Sequence, residues 1–486
     1  MKDLLAAARR HAAKCDFPAA VQILAGLLQA HPGDRDVLLE LSRLSGRMGS
    51  RQDALTLLQL ARRTHPADPE LALEEAAILE QLGRIEDARN ILHGQATACP
   101  DDPLPLLRLS YFLRRRSEHH LAEAVCRQLV GGFPEFAMGW VSKGISDYTA
   151  GQVAAAEASF HRALAIDGNN AVAHFSRAAN LLSVGRWQEG FAEFEWRLRL
   201  PDAAAAPVDL PRCTGREPAG TRVLLWNDQG LGDAIQFLRY VPLIEGRGYR
   251  TTLVLAEQLV RLARTAAITG PVLASGDRLP PADVHLPLMS APILFGTDAT
   301  VPAEVPYLQA DPVASTAWAK RLAGLPGRKV GLVWAGAPRT DNFQLNTIDQ
   351  RRSIELDRLA PLLALPGIRF VSLQKGDPAA QLAALPKQLR PFDPMAEIGD
   401  FADTAALAAN LDLVISVDTS VVHLAGALGK PVWVLSRFDG CWRWLKERDD
   451  SPWYPTARLF RQTRPGDWDG VIGRVAEALR QWAGPT

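Results

Sequence analysis

The sequence predicts an all-α repeat superhelix followed by an α/β module of two parallel-sheet domains. Two observations carry this expectation. Over residues 1–200 three columns of residues recur with a spacing of 34, and from 221 onward that period gives way to short apolar strands alternating with helices. The first column is Pro32, Pro66, Pro100 and Pro134, with Gly168 in the next place. The second is Gly49, Gly83, Ser117, Gly151 and Gly185, and the third is Ala20, Ala54, Ala88, Ala122 and Ala156, with Gly190 at the end.

Each unit reads as two helices. The small residue near its middle permits a tight turn, and the alanine five residues later gives the second helix a side thin enough to pack closely on the first. The proline near each unit boundary suits a helix start, where its missing N–H costs nothing. Apolar residues return three or four apart, as in Leu71, Leu73, Ala76, Ile78 and Leu79. The pattern resembles the tetratricopeptide repeat, over roughly 1–200, as five units and a partial one at the N-terminus. A single pair of helices cannot bury its apolar face, so stacking supplies the core and leaves an extended concave surface. That surface reads as a docking site for a protein or peptide, with a purely structural array as the alternative.

Residues 186–200, RWQEGFAEFEWRLRL, are aromatic on nearly every side. They read as a helix covered by the following domain, or otherwise as an exposed partner patch. The segment 201–220 has four prolines and little periodicity and serves as a connector. Beyond it, strands are expected at 222–226 and within 328–336, 368–376, 411–429 and 430–436. Runs this apolar need covering on both faces, which implies parallel sheets flanked by helices. Two blocks follow, 221–325 and 326–470, with a C-terminal helix and tail at 471–486. Two parallel sheets side by side make a cleft at the carboxyl ends of their strands; one large sheet is the competing fold.

Composition narrows the function. The chain has 486 residues, 47% of them hydrophobic and 22% charged, an ordinary globular mixture. Lys+Arg and Asp+Glu both number 54, which leaves no basic excess for a nucleic-acid backbone or an anionic membrane. Five cysteines without a CxxC argue against a disulfide framework or a zinc site. The N-terminus has no signal-peptide core and no run of about 18 apolar residues occurs, so a cytoplasmic protein is expected.

Four stretches carry candidate chemistry. In NDQGLGDAIQF, Gly230 and Gly232 allow tight backbone geometry after a strand, and Asp233 falls at the mouth of a helix. A carboxylate there would repel a phosphate. It reads as an N-cap, as a general base for an acceptor hydroxyl, or as both. In VISVDTSVVHLAGALG, Asp418, Thr419 and Ser420 follow a strand, with His423 one turn into the next helix. Hydroxyls and N–H groups at a helix start suit an anion, so this group reads as a diphosphate site, with a packing role for His423 as the alternative. In SLQKGD, Gln374 and Lys375 close a strand on the same expected edge, and Lys375 is either a phosphate partner or a surface lysine. In VWAGAPRTDNFQLNTIDQRRSI, Gly336 permits a turn, and one of Arg351 and Arg352 is expected to reach a leaving group while the other is solvated. No HExxH and no close cluster of acids and histidines occurs, so no metal is expected, and the lack of GxxxxGK[ST] and GxSxG argues against a nucleotide hydrolase or an esterase.

Taken in order, LLWNDQGLGDAIQFLRYVPLI, PLMSAPILFGT, VGLVWAGAPR, SLQKG, DLVISVDTSVVHLAGALGKPVWVL and WRWLKERDDSPWYPTARLFRQ resemble the bacterial tetratricopeptide proteins that bear a heptosyltransferase-like domain of glycosyltransferase family 9. The resemblance implies a GT-B module of two Rossmann-like domains and metal-independent, inverting transfer from a nucleotide-diphospho-sugar. It places Asp233 at the family's proposed base and Asp418, Thr419, Ser420 and His423 on its diphosphate signature. Ser420 stands where that signature has glycine, and the family's donor-side lysine has only Arg351, Arg352 or Lys375 as counterparts. The resulting expectation is a glycosyltransferase acting on a glycan or protein hydroxyl, with nucleotide-sugar as co-substrate and no cofactor. The alternative is a non-catalytic repeat adaptor with a degenerate transferase-like module.

Overall fold

The computed structural model describes residues 1–486 apart from 14, 15, 67, 299, 300, 338–342, 485 and 486. Cys15 and the PRTDN part of the Gly336 stretch therefore lie outside the described residues. Contacts divide the chain into two units, Met1–Asn169 and Asn170–Thr486.

The first unit is a tetratricopeptide-like superhelix of five helical pairs: α1 (Lys2–Ala13) and α2 (Phe17–Ala30), α3 (Arg35–Arg47) and α4 (Arg51–Thr64), α5 (Pro69–Gln81) and α6 (Ile85–Ala98), α7 (Pro103–Arg115) and α8 (His119–Gly132), α9 (Ala137–Thr149) and α10 (Val153–Ile166). The alanine column is the packing seam, since Ala20, Ala54, Ala88, Ala122 and Ala156 are all fully buried. The second column supplies the turn within each pair. Gly49, Gly83 and Gly151 take φ of 87°, 76° and 83°, and Ser117 is held at 59°, a region that strains any residue with a Cβ.

The proline column works differently from expectation. Pro32, Pro66, Pro100 and Pro134 each directly follow a helix C-cap (His31, His65, Cys99 and Phe133), so they end the second helix of a pair instead of starting the next. Helix starts are set two residues later by a column the sequence also holds. Asp34, Asp68 and Asp102 each accept first-turn N–H groups through their carboxylates, and Asn170 does the same through its side-chain oxygen.

The second unit opens with α11 (Ala171–Leu182), α12 (Trp187–Phe194) and a 3-10 turn, Glu195–Arg199. The aromatic helix is covered, as its composition predicts. Phe191 meets Phe237 and Trp442 edge-on at 6.2 and 5.9 Å, and Trp187 meets Trp453 at 5.6 Å. Arg197 from the 3-10 turn forms a buried ion pair with Asp228 at 2.7 Å and also donates to Ser290. This anchors the turn to the loop after the first strand.

Two wholly parallel sheets follow, so the single-sheet alternative does not occur. The first has strand order β3-β2-β1-β4, from β1 (Arg222–Trp226), β2 (Arg250–Leu255), β3 (Val272–Ala274) and β4 (Val284–Pro287). The second has order β6-β5-β7-β8-β9, from β5 (Arg328–Val333), β6 (Ile368–Ser372), β7 (Leu413–Val417), β8 (Val432–Ser436) and β9 (Ala457–Arg461). Their helices are α13 (Leu231–Phe237), α14 (Val241–Gly246), α15 (Glu257–Ala263), α16 (Pro312–Ala323), α17 (Phe343–Arg352), α18 (Ala360–Leu363), α19 (Phe401–Ala408), α20 (Ser420–Ala427) and α21 (Trp468–Ala483). The arrangement resembles a GT-B-like module.

The second sheet has a helix-rich core on each face: Leu413 and Ile415 pack with Val471, Val475 and Leu479 of α21, while Val414 and Val432 belong to the core shared with α13, α19 and α20. The first sheet differs from the expectation of helices on both sides. Val223, Leu225, Leu253 and Leu255 pack with helices, but Leu224, Trp226 and Val254 on the opposite face are covered by Val208, Leu279 and Ala282, none of them in a helix.

Candidate functional site

In both sheets chain order reverses beside the first strand, between β1 and β4 and between β5 and β7. Such switch points splay the following loops and open a crevice at the strands' carboxyl ends. Here the loops after β1, β5, β6 and β7 line one cavity of about 650 Å³. Gly230, Gly232, Asp233, Gly336, Arg352, Gln374, Lys375, Asp418, Thr419, Ser420 and His423 all line it. Of the residues singled out from the sequence, Arg351 alone does not: it pairs with Asp439 at 2.8 Å outside the cavity. Of the two arginines Arg352 is the inward one, whereas Arg351, paired with Asp439 and largely shielded, is not the solvated charge expected of the other.

The starts of α13 and α20 are in direct contact and do not face each other across an open gap. A Cβ at Gly232 would lie 2.9 Å from His423 Cδ2 and 3.2 Å from Ser420 Cα, so only glycine permits this approach of α13 to α20. Asp233 is the third residue of α13. Its Oδ2 accepts the Gly230 N–H at 3.0 Å, the reciprocal half of a capping box. Its Oδ1 is held by the guanidinium of Arg443, which also donates to Gln236 Oε1 at 2.6 Å and lies over the Trp442 ring at 4.3 Å. Burial opposes the charge of Arg443, but Asp233, Cys441 and Asp418 together outweigh it and raise its pKa above the ordinary arginine value. Each oxygen of the carboxylate thus makes one structural hydrogen bond, and the side chain still lines the cavity.

His423 is also held in place. It is buried, its Nδ1 bonds the Tyr454 hydroxyl at 3.0 Å, and its ring stacks on Trp444 at 5.6 Å and 15°. Burial, with the cations of Arg443, Arg239 and Arg352 nearby, pushes its pKa well below the usual 6.5 and keeps it neutral. Gln374 is buried and braces the loops: Oε1 accepts from the Trp334 and Ala335 N–H groups, and Nε2 donates to the Ala335 and Lys375 carbonyls. Lys375 donates to the Ile398 carbonyl. Arg352 pairs with Asp349, donates to the Asp418 carbonyl at 2.9 Å, and lies so close over Gly336 that a Cβ there would be 2.7 Å from its Nε. Thr419 is the N-cap of α20, but its side chain makes no capping bond; its Oγ1 lies 3.1 Å from Ser416 Oγ.

Sequence reasoning missed Arg443 and the apolar wall of Met395, Ile398 and Phe401. The wall carries no motif, and Arg443 lies 210 residues from Asp233. Its only signal was a cation in the aromatic stretch WRWLKER. Among the described residues no group of three or more His, Cys, Asp or Glu is arranged to hold a metal ion, and no helix is long and apolar enough to cross a membrane.

Comparison with known proteins gives three results. The family model for glycosyltransferase family 9 (heptosyltransferase) matches residues 368–435. Protein FlbA of Caulobacter vibrioides is 31% identical over 385 residues, which is 72% of this chain and 62% of that protein, so the chain spans less than two thirds of its relative. Among solved structures, a thermophilic tetratricopeptide protein of Thermus thermophilus, TTC0263, matches at 24% identity, covering 35% of this chain and 92% of that one, with a TM-score of 0.31. MamA matches at 19% identity over 34% of this chain and 96% of that one, with a TM-score of 0.29. The chain is thus a repeat protein similar over most of its length to Protein FlbA, with a partial family 9 match near its C-terminal end.

These findings overturn the glycosyltransferase expectation, the enzyme assignment and the nucleotide-sugar binding that went with them. The similarity that extends over most of the chain is to Protein FlbA, and the transferase family match stops short of Asp233, Gly336 and Arg352. In the structure Asp233 holds Arg443 through Oδ1 and caps its own helix through Oδ2. The findings favour the repeat-adaptor alternative.

Proposed function

We propose that this chain is a non-catalytic adaptor: the repeats hold a polypeptide partner, and the α/β unit is a transferase-like scaffold without transfer chemistry. The observation that carries this reading is the carboxylate of Asp233, paired with Arg443 and turned into a helix cap. One end of the cavity suits an anion. The uncapped start of α20 at Ser420, with Arg352 beside it, is suited to receive an anion that is held and not consumed.

The test is a turnover assay on the full chain with UDP-, GDP-, ADP- and dTDP-linked sugars. No release of nucleoside diphosphate above the buffer rate is expected, and Asp233→Asn should lower the Tm because it weakens the Arg443 pair. Sustained release that Asp233→Asn abolishes would sink the adaptor reading. Calorimetry with inorganic pyrophosphate tests the cradle separately. Arg352→Ala should weaken binding about tenfold, the worth of one charge-assisted hydrogen bond; absence of any heat with the unmodified chain removes the cradle and leaves the adaptor standing.

A further inference from the structure

The outermost strand of a sheet presents backbone N–H and C=O groups that stay unpaired unless something covers them. Three of the four sheet edges in Asn170–Thr486 are dealt with. Beside β6, the Phe392 N–H donates to the Phe370 carbonyl and the Phe392 carbonyl accepts the Ser372 N–H. Beside β4, the connector does the same, with Cys213 N–H on the His285 carbonyl and His285 N–H on the Pro211 carbonyl. β3 is three residues long; Arg264 takes its Val272 carbonyl at 3.1 Å and Asp277 its Ala274 N–H at 2.8 Å.

The exception is β9. Its pairing with β8 runs from Val432 N–H on the Thr456 carbonyl to Gln462 N–H on the Ser436 carbonyl, which turns the backbone groups of 458 and 460 inward and those of 457, 459 and 461 outward. Leu459 N–H is taken by the Asp449 carbonyl at 2.7 Å, and the Arg461 carbonyl by the guanidinium of Arg474. The Leu459 carbonyl and the Arg461 N–H, which flank Phe460, make no hydrogen bond among the described residues. A single residue of an added parallel strand donates to the first and accepts from the second. A cavity of about 490 Å³ lies along this stretch. Every residue from 458 to 463 lines it, so it follows the edge of the strand and not one face, and Arg474, Glu477, Ala478 and Gln481, one stripe of α21, form the other wall.

The charges in this groove select the occupant. The Arg461 guanidinium is engaged by the Arg448 and Trp444 carbonyls and feels the charge of Asp449, and Glu477 pairs with Arg480 at 3.1 Å. Arg458 is exposed and makes no hydrogen bond or ion pair among the described residues; its guanidinium lies 4.7 Å from the centre of the Phe460 ring. We propose that the groove between β9 and α21 takes an extended segment of a partner polypeptide as a sixth strand of this five-stranded sheet, its backbone on the Leu459 carbonyl and the Arg461 N–H and an acidic side chain on Arg458. The inference goes beyond the adaptor reading, because it gives the α/β unit a docking surface of its own that holds whether or not the repeats bind a partner. The residue bonded at Leu459 and Arg461 lies opposite Phe460, so its side chain falls on the face that carries Arg458.

The experiment is fluorescence anisotropy of the full chain with a labelled octapeptide of alternating glutamate and valine, read together with hydrogen exchange. N-methylation of the glutamates removes the donors that face β9 and should weaken binding at least ~10-fold, whereas N-methylation of the valines, which face away, should leave most of the affinity. Replacing glutamate by glutamine should cost about fivefold, the upper range for an exposed charge pair; Arg458→Glu should remove that margin and Arg458→Lys keep it. The bound peptide should slow exchange across 457–463 and leave Met1–Asn169 unchanged. No binding by the unmethylated peptide, equal loss with either methylation pattern, or an inert Arg458→Glu overturns the proposal. Protection confined to Met1–Asn169 overturns it too and assigns the peptide to the repeats, and self-association that the peptide disperses gives the edge to a second copy instead of a partner. The turnover assay bears on the adaptor reading alone, so the two fail separately.

Discussion

Arginine–carboxylate pairs hold both units, and the difference between them is where the pair sits. In Met1–Asn169 the partners lie about one repeat apart, as in Arg9–Glu40, Arg35–Asp68, Arg43–Glu74 and Arg89–Glu118, with part of most of these side chains in solvent. In Asn170–Thr486 the defining pairs are long-range and do not repeat, and one of them is fully buried. Arg197 and Asp228 have side chains 2% and 0% exposed, and Arg443 reaches Asp233 from 210 residues away. The first pattern is a stack of nearest-neighbour contacts, each replaceable. The second is a small number of long-range contacts on which a whole region depends.

Breaking one of each kind exposes the contrast. Asp228→Ala removes the fully buried partner of the Arg197 guanidinium and leaves it to Glu195 and Ser290, which should cost about 3 kcal/mol, the low end for breaking a buried pair. Urea unfolding, read with hydrogen exchange across α12 and β1, checks it; a loss no greater than that of a surface pair would erase the distinction. The next effect is pH-dependent and belongs to the α/β unit. His423 and His285 are both pushed below the usual 6.5, chiefly by burial, with arginine neighbours adding to it. The unfolded chain therefore takes up protons that the folded unit refuses. Stability present above pH ~6.5 should fall as the pH drops toward the folded values, by at most about 1.4 kcal/mol per pH unit for each histidine. Melting the chain between pH 7.5 and 5 measures the slope, and His423→Gln should flatten it.

Smaller effects sharpen the picture of the repeats. Ser117 occupies the left-handed turn position that glycine fills in its neighbours, at a φ of 59°. Ser117→Gly should stabilise by roughly 1 kcal/mol, seen as a higher midpoint in denaturant. Arg43→Ala, despite three acidic partners, should cost less than ~1 kcal/mol because the pairs are partly in water, and added salt should shrink even that.

The repeat columns were legible because each answers a local backbone demand: zero space at Ala54 or Ala88, positive φ at Gly49 or Gly83, and a stop at Pro66 or Pro100. The cap column of Asp34, Asp68, Asp102 and Asn170 was equally present and went unread, because the prolines nearby drew the same explanation. The cavity was legible to the extent that loops after parallel strands collect on one edge, which gathered eleven of the singled-out residues. Arg351 and Arg352 are adjacent and chemically alike, and no local rule separates the one that faces Asp439 from the one that lies over Gly336.

The sequence by itself determined the period, the helix and turn positions, the apolar strands and the identity of the loops that meet, because each of these is encoded within a few residues of chain. The tertiary structure alone decided what those loops are able to do. Whether Asp233 is a free base or half of an ion pair depends on Arg443, brought to it from a distant part of the chain. Electrostatic partnership is set by distance in space, and no spacing along the chain records it.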